Sequence, residues 1–327
     1  MTTNQFTRRN FCRLTGVAAG TAALHNGTTL TSLAAASNTG GLPQRVLGRT
    51  KLNVSIMTLG TAPLGMGKDV SAAEGAQLIN QAIDLGINFI DTAEQYAKAE
   101  KVIGNALGAR RKDITLATKV MADSVAAAEK SFSGSLRDLK TASVDVLYWH
   151  HLGDRKVEGA RAPEGVFTWL LKQKQAGKCR FIGVSGHNGV ARYAPFIENG
   201  DVDVLLVVLN YVDRNTYNFE ERVLPAARKQ NLGIVAMKVL GGAGAGGYST
   251  RKSGAKIGPE NIETAMRYAL SLEGVTTVNI GMHTSAQLQQ NVEIIKRFKP
   301  ISDQEMARII TQGKKVAGEW KEHFGPA

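Results

Sequence analysis

The sequence predicts an α/β protein: one (β/α)8 barrel followed by a C-terminal helix. Three observations carry this. Apolar runs end in a titratable residue at Asp91 in "INFID", Lys119 in "ITLATK" and His150 in "VDVLYWH". These residues lie 28 and 31 positions apart, close to the ~30 residues that a strand, its helix and two loops take in a barrel of roughly 250. Between the runs, apolar residues recur at helical spacing. Strand ends on one rim are where a barrel keeps its chemistry, and core packing alone does not explain titratable groups at successive strand ends.

In chain order, residues 1–36 stand apart. "TRRNFCR" at 7–13, a weakly apolar small-residue stretch at 14–24 and Ala34-Ala35-Ala36 read as a twin-arginine export signal with a small-residue cleavage site. Such a segment is an address and no part of the fold. It implies the twin-arginine export machinery as a partner and a periplasmic or otherwise exported location. Its apolar stretch is too short to span a bilayer, so no stable membrane anchor is expected. Residues 37–327 then form one domain, with no linker or low-complexity array dividing it and an ample core for its length.

The candidate strands are 55–60, 87–91, 114–119, 144–150, 179–185, 204–210, 233–240 and 276–281. Helical stretches such as 72–84 and 125–139 lie between them, and a last helix is expected at about 302–320. The net charge is +12, and loss of Arg8, Arg9 and Arg13 with no acidic residue leaves +9. A basic barrel suits a phosphate-bearing coenzyme or anionic substrate, but no basic stripe interleaved with aromatics marks a nucleic-acid surface. Cys12 leaves with the signal, so the mature chain, with Cys179 alone, has no internal disulfide. Cys179 opens a strand and reads as a buried small hydrophobe. No metal site is expected.

With these landmarks in place, the chain resembles the aldo-keto reductase superfamily. "IDTAEQYA", "ATK" and "DVLYWH" match the family's "FDTAxxYG", "ATK" and "DLxxxH", and "RFIGVSG" matches its fifth strand. The resemblance runs from about Leu47 to the C-terminus and starts with "VLGRTKLNVSIMTLG", similar to the family's N-terminal β-hairpin that plugs the barrel bottom. It implies hydride exchange between a nicotinamide coenzyme and a carbonyl or alcohol, with Tyr96 as general acid/base. A phenol titrates near 10, so a cation is needed to stabilise the phenolate; the resemblance gives that task to Lys119, held by Asp91. His150 would hydrogen-bond the substrate oxygen as an oxyanion-type donor. His151 is expected to face the other way along the strand, and the family's five-residue interval from Asp145 selects His150.

The coenzyme contacts that the resemblance implies match in part. Ser185 is kept in "GVSGHN", but Gly186 stands where the family has asparagine, for which His187 and Asn188 are the candidate substitutes. Tyr211 stands where a tyrosine stacks on the nicotinamide, but Val208 replaces the motif's glutamine. Lys238, Leu240 and Gly241 in "KVLGGAGAGG" match a pyrophosphate loop, and 241–258 is long enough for a lid. In "GMHTSAQLQQN", Gly281, Gln287 and Asn291 match the adenosine-phosphate motif, while His283 replaces an arginine that grips a 2′-phosphate. NADP, or NAD, is the expected coenzyme, tightly held. Two classes remain: an NAD(P)-dependent oxidoreductase acting on an aldehyde, ketone or sugar, and a non-catalytic coenzyme- or sugar-binding barrel serving as sensor or partner subunit.

Overall fold

The computed structural model describes residues 41–67, 70–242 and 255–327. The signal expected at 1–36 therefore lies outside the described residues, as does most of the expected lid. The described residues form ten strands: β1 (Gln44–Val46), β2 (Asn53–Ser55), β3 (Met57–Gly60), β4 (Phe89–Asp91), β5 (Thr115–Val120), β6 (Val144–Trp149), β7 (Cys179–Gly186), β8 (Val204–Val208), β9 (Gly233–Met237) and β10 (Val275–Gly281). The parallel strands β3 to β10 close a barrel in chain order, with β10 pairing β3. Their near-continuous burial is what a sheet covered on both faces requires.

The expected strand 55–60 divides at Ile56. Its first residue ends the antiparallel hairpin β1–β2, and only Met57–Gly60 enters the barrel. Asn88, just before β4, ties the hairpin down: its Oδ1 accepts from Ser55 N at 2.7 Å and its Nδ2 donates to Asn53 O at 3.0 Å. Arg45 donates to Leu270 O and Val275 O, ahead of β10 and at its start. The hairpin thus covers the N-terminal end of the barrel, opposite the rim that carries Asp91, Lys119 and His150.

Other strand ends shift for local reasons. β8 stops at Val208 because the Asn210 side chain takes the backbone N–H groups of Val212 and Asp213, an Asx turn in place of a ladder. β9 stops at Met237 because Lys238 adopts φ 54°. Helix starts follow the sequence closely: Ser71 and Glu74 form a capping box before Ala72–Asp84, and Ser124, Thr284 and Ser302 cap Val125–Asp138, Ser285–Lys296 and Asp303–Trp320. Cys179 is buried, which pushes its thiol up to about 12 and suits an inert core residue. Among the described residues, no helix is long and apolar enough to cross a membrane.

Candidate active site

Strand register places Asp91 beside Ala117 and Lys119 beside Tyr148, so Asp91 and Lys119 share the interior face at the C-terminal rim. The Lys119 ammonium donates to Asp91 Oδ2 at 2.7 Å, to Thr92 O at 2.7 Å and to the Tyr96 hydroxyl at 3.2 Å. Three donors meet three acceptors. Lys119 is 1% and Asp91 2% exposed, so each charge persists only because the other is there. Burial pulls Lys119 down, but Asp91 and Tyr96 outweigh it and the ammonium titrates above its usual range. Burial also raises Asp91, against Lys119 and Asn279.

Tyr96 departs from the simple expectation of a depressed phenol. Burial raises it and Asp91 adds to that, while Lys119 pulls it down without reversing the direction. The hydroxyl is therefore a neutral donor, positioned by a cation that favours its anion.

His150 follows β6 and meets the Tyr96 ring edge-on at 6.3 Å. Its Nδ1 lies 3.0 Å from Gln95 Oε1. The Gln95 amide nitrogen donates to Glu94 Oε2 at 2.9 Å, and the Ser131 hydroxyl donates to the same oxygen at 2.7 Å. A carboxylate only accepts, so the amide oxygen is left for His150, whose Nδ1 then carries the proton and whose Nε2 carries the lone pair. Burial, followed by His151, Lys119, His187 and Arg155, holds His150 well below the usual histidine range.

His151 was expected to face away, but it does not. It leaves the strand at φ 57°, and its ring lies 4.2 Å from that of His150 and 4.8 Å from that of His187. The row ends on Phe324, 5.0 Å from His187, which the C-terminal tail holds in place: Phe324 N donates to the Tyr217 hydroxyl, and that hydroxyl donates to Gly325 O. Burial lowers His151 to about 4 and takes His187 well below its usual value, so the row is neutral at neutral pH.

The residues expected at the coenzyme spread around the same rim. The Ser185 hydroxyl, near the end of β7, is fully buried with no hydrogen-bond partner among the described residues. Gly186 is not merely an asparagine lost: a Cβ there would sit 2.0 Å from the Tyr193 hydroxyl, which occupies that space. Tyr211 is 3% exposed and meets Tyr268 edge-on at 5.8 Å. Lys238 is brought down to about 8, mainly by burial, and its Nζ lies 5.7 Å from the Phe324 ring. Leu240 and Gly241 close the base of the expected lid, where Ile257 N donates to Leu240 O and Gly241 bridges Lys256. Gly281, His283 and Gln287 surround the start of Ser285–Lys296, with His283 N donating to Gln287 Oε1 at 2.8 Å; Asn291, further along, is buried.

Two contributors escaped sequence reasoning: Gln95, and Asn279, which donates to Asp91 Oδ2 at 2.9 Å. Asn279 left a signal, since it is a polar residue at an interior position of an otherwise apolar strand end, "VNIG".

Comparison with known proteins agrees with the barrel fold. The sequence model of the aldo/keto reductase family matches residues 56–261. L-galactose dehydrogenase of Arabidopsis thaliana is 28% identical over 293 residues, covering 80% of this chain and 91% of that protein. Pyridoxal 4-dehydrogenase of Microbacterium luteolum is 25% identical over 317 residues, covering 76% and 92%. Among solved structures, the holo form of an aldo-keto reductase from Bacillus halodurans superposes with a TM-score of 0.67 at 22% identity, over 87% of this chain and 100% of that one, a likeness of fold.

Proposed function

The chain belongs to the aldo/keto reductase family of oxidoreductases, and on that premise we propose that it interconverts a hydroxyl-rich carbonyl compound and its alcohol with Tyr96 as general acid/base. The observation that carries this reading is the Lys119 ammonium, bonded at once to Asp91 and to the Tyr96 hydroxyl. In the reducing direction Tyr96 gives its proton to the substrate oxygen, and Lys119 steadies the phenolate that remains; in the oxidising direction the proton returns. Positioning such a donor contributes ~10²–10⁴-fold.

The substrate class follows from the imidazole row. Neutral His151 and His187 each carry one donor and one acceptor, and His150, whose donor is taken by Gln95, keeps an acceptor; such a set complements hydroxyl groups. The His150 Nε2 lone pair suits a substrate hydroxyl; for Nε2 to donate to a carbonyl oxygen, the Gln95 amide must turn over and give up Glu94. One relative is named for oxidising a sugar, L-galactose.

The family generally uses NAD(P)H, and the buried Ser185 hydroxyl, without a hydrogen-bond partner among the described residues, suits a carboxamide. Ser185 and Tyr211 would hold the nicotinamide end, Lys238, Leu240 and Gly241 the pyrophosphate, and Gly281, His283, Gln287 and Asn291 the adenosine phosphate. When bound, the coenzyme supplies or takes the hydride. The basic chain favours NADP, although an imidazole at 283 grips a 2′-phosphate less firmly than a guanidinium.

Residues 1–36 complete the proposal: the twin-arginine signal sends the folded enzyme out of the cytoplasm. Replacing Arg8 and Arg9 with lysines is expected to leave folded precursor inside the cell, because a receptor reads the pair and not its charge alone. Normal amounts of exported protein after that change would contradict the signal.

An exported enzyme meets little free coenzyme, so it must load before export and hold on. With association near 10⁶ M⁻¹s⁻¹, a dissociation constant of about 1 nM gives release on the order of 10⁻³ s⁻¹, a residence of minutes, and the 241–258 segment is the candidate cover. Exported protein purified without added nucleotide, dialysed and then denatured is expected to release NADP or NAD. A fully empty protein that binds both only at micromolar levels would remove the retained-coenzyme reading.

A further inference from the structure

Asn279 lies on β10, yet the carboxylate that it touches belongs to β4, and β3 runs between them. The reach is possible because β3 presents Gly60 at the crossing. Gly60 pairs with Asp91 on one side and Gly281 on the other, and a Cβ at Gly60 would lie 2.6 Å from Asn279 Oδ1. The amide crosses the missing side chain and donates to Asp91 Oδ2 at 2.9 Å, the same oxygen that takes Lys119 at 2.7 Å. A polar side chain inside a parallel barrel is costly unless bonded, and this one spends its bond on the catalytic cluster.

We propose that Asn279 is a positioning residue for the reaction: resting on the Tyr96 reading, it fixes Asp91 Oδ2 so that Lys119 stays aimed at the Tyr96 hydroxyl. The groups facing Asp91 are Lys119 from β5, Tyr96 from the loop after β4, Tyr148 from β6 and Asn279. Only Lys119 brings a cation. A neutral amide adds a donor without changing the charge of the Lys119–Asp91 pair, whereas a carboxylate in its place would compete for Lys119 and repel Asp91.

The test compares Asn279→Leu, Asn279→Asp and Gly60→Ala in the mature protein, by pH profile with reduced NADP and a panel of aldoses and aldehydes, and by titration of ¹³C-carboxyl-labelled aspartate. Asn279→Leu is expected to lower kcat by roughly 10–10²-fold, the rate equivalent of one hydrogen bond to a charged group. KM and coenzyme affinity should stay put, and the acid limb and the Asp91 carboxyl should both titrate at higher pH. Asn279→Asp should be impaired at neutral pH and regain rate in acid, where its protonated carboxyl can donate as the amide did. Gly60→Ala, by pushing the amide away, should resemble Asn279→Leu. Asn279→Leu with wild-type kcat and an unchanged profile overturns the proposal, as does equal loss in the leucine and aspartate variants at every pH. Persistent turnover in Tyr96→Phe would instead defeat the reading beneath it, while an inactive Tyr96→Phe beside a normal Asn279→Leu defeats this inference alone.

Discussion

Tyr96→Phe is expected to lower turnover by ~10²–10⁴-fold while coenzyme affinity stays within about twofold of wild type. In the proposed mechanism the hydroxyl moves a proton in the transition state and takes no part in holding the nucleotide, so its loss would belong to kcat. Folding should be little affected, since Lys119 keeps Asp91 and the Thr92 carbonyl as partners. Steady-state kinetics beside a coenzyme titration checks this. A loss confined to KM or to coenzyme binding would show that Tyr96 positions a ligand and does no chemistry.

Lys119→Met is expected to cost both activity and stability. It leaves the Asp91 carboxylate, 2% exposed, with Asn279 as its one side-chain donor among the described residues. Breaking a buried pair from one side costs about 3–5 kcal/mol. The loss should depend on pH. Burial already raises Asp91, and without Lys119 its folded-state value rises further above the unfolded one. A group raised in this way contributes stability that is complete below its unfolded value and lost as pH climbs through its folded value. The deficit should therefore be small in acid and grow toward neutral pH. Adding Asp91→Asn should recover most of the stability and none of the turnover. Denaturant melts across pH check this; a deficit that is flat with pH, or unrelieved in the double variant, would contradict the pairing.

Much of the barrel was legible because its strands are long apolar runs and its chemistry sits at their ends. Asp91, Lys119 and His150 could be placed by spacing, since each ends an apolar run, and Tyr96 by the family resemblance; the structure brings the four together. Strand ends were less legible where one side chain or dihedral decides them, as at Asn210 and Lys238. Contacts between distant segments left almost no trace. Nothing local says that His187 joins His151, or that Tyr193 fills the space beside Gly186. Asn279 meets Asp91 across 188 positions of sequence, and only an amide in an apolar strand hints at it. Alternation misled at His151, because the chain leaves extended backbone at that residue.

Direct hydride transfer at the Tyr96 site is tested most closely by isotope transfer. Mature protein given NADP or NAD carrying deuterium at the transferring position of the reduced nicotinamide should be mixed with the aldose and aldehyde panel and the alcohol products read by mass spectrometry. One deuterium is expected on the carbinol carbon of a product, formed by wild type and at least ~10²-fold more slowly by Tyr96→Phe. Oxidised coenzyme with no deuterium in any alcohol, or equal labelling rates in the two proteins, would contradict it.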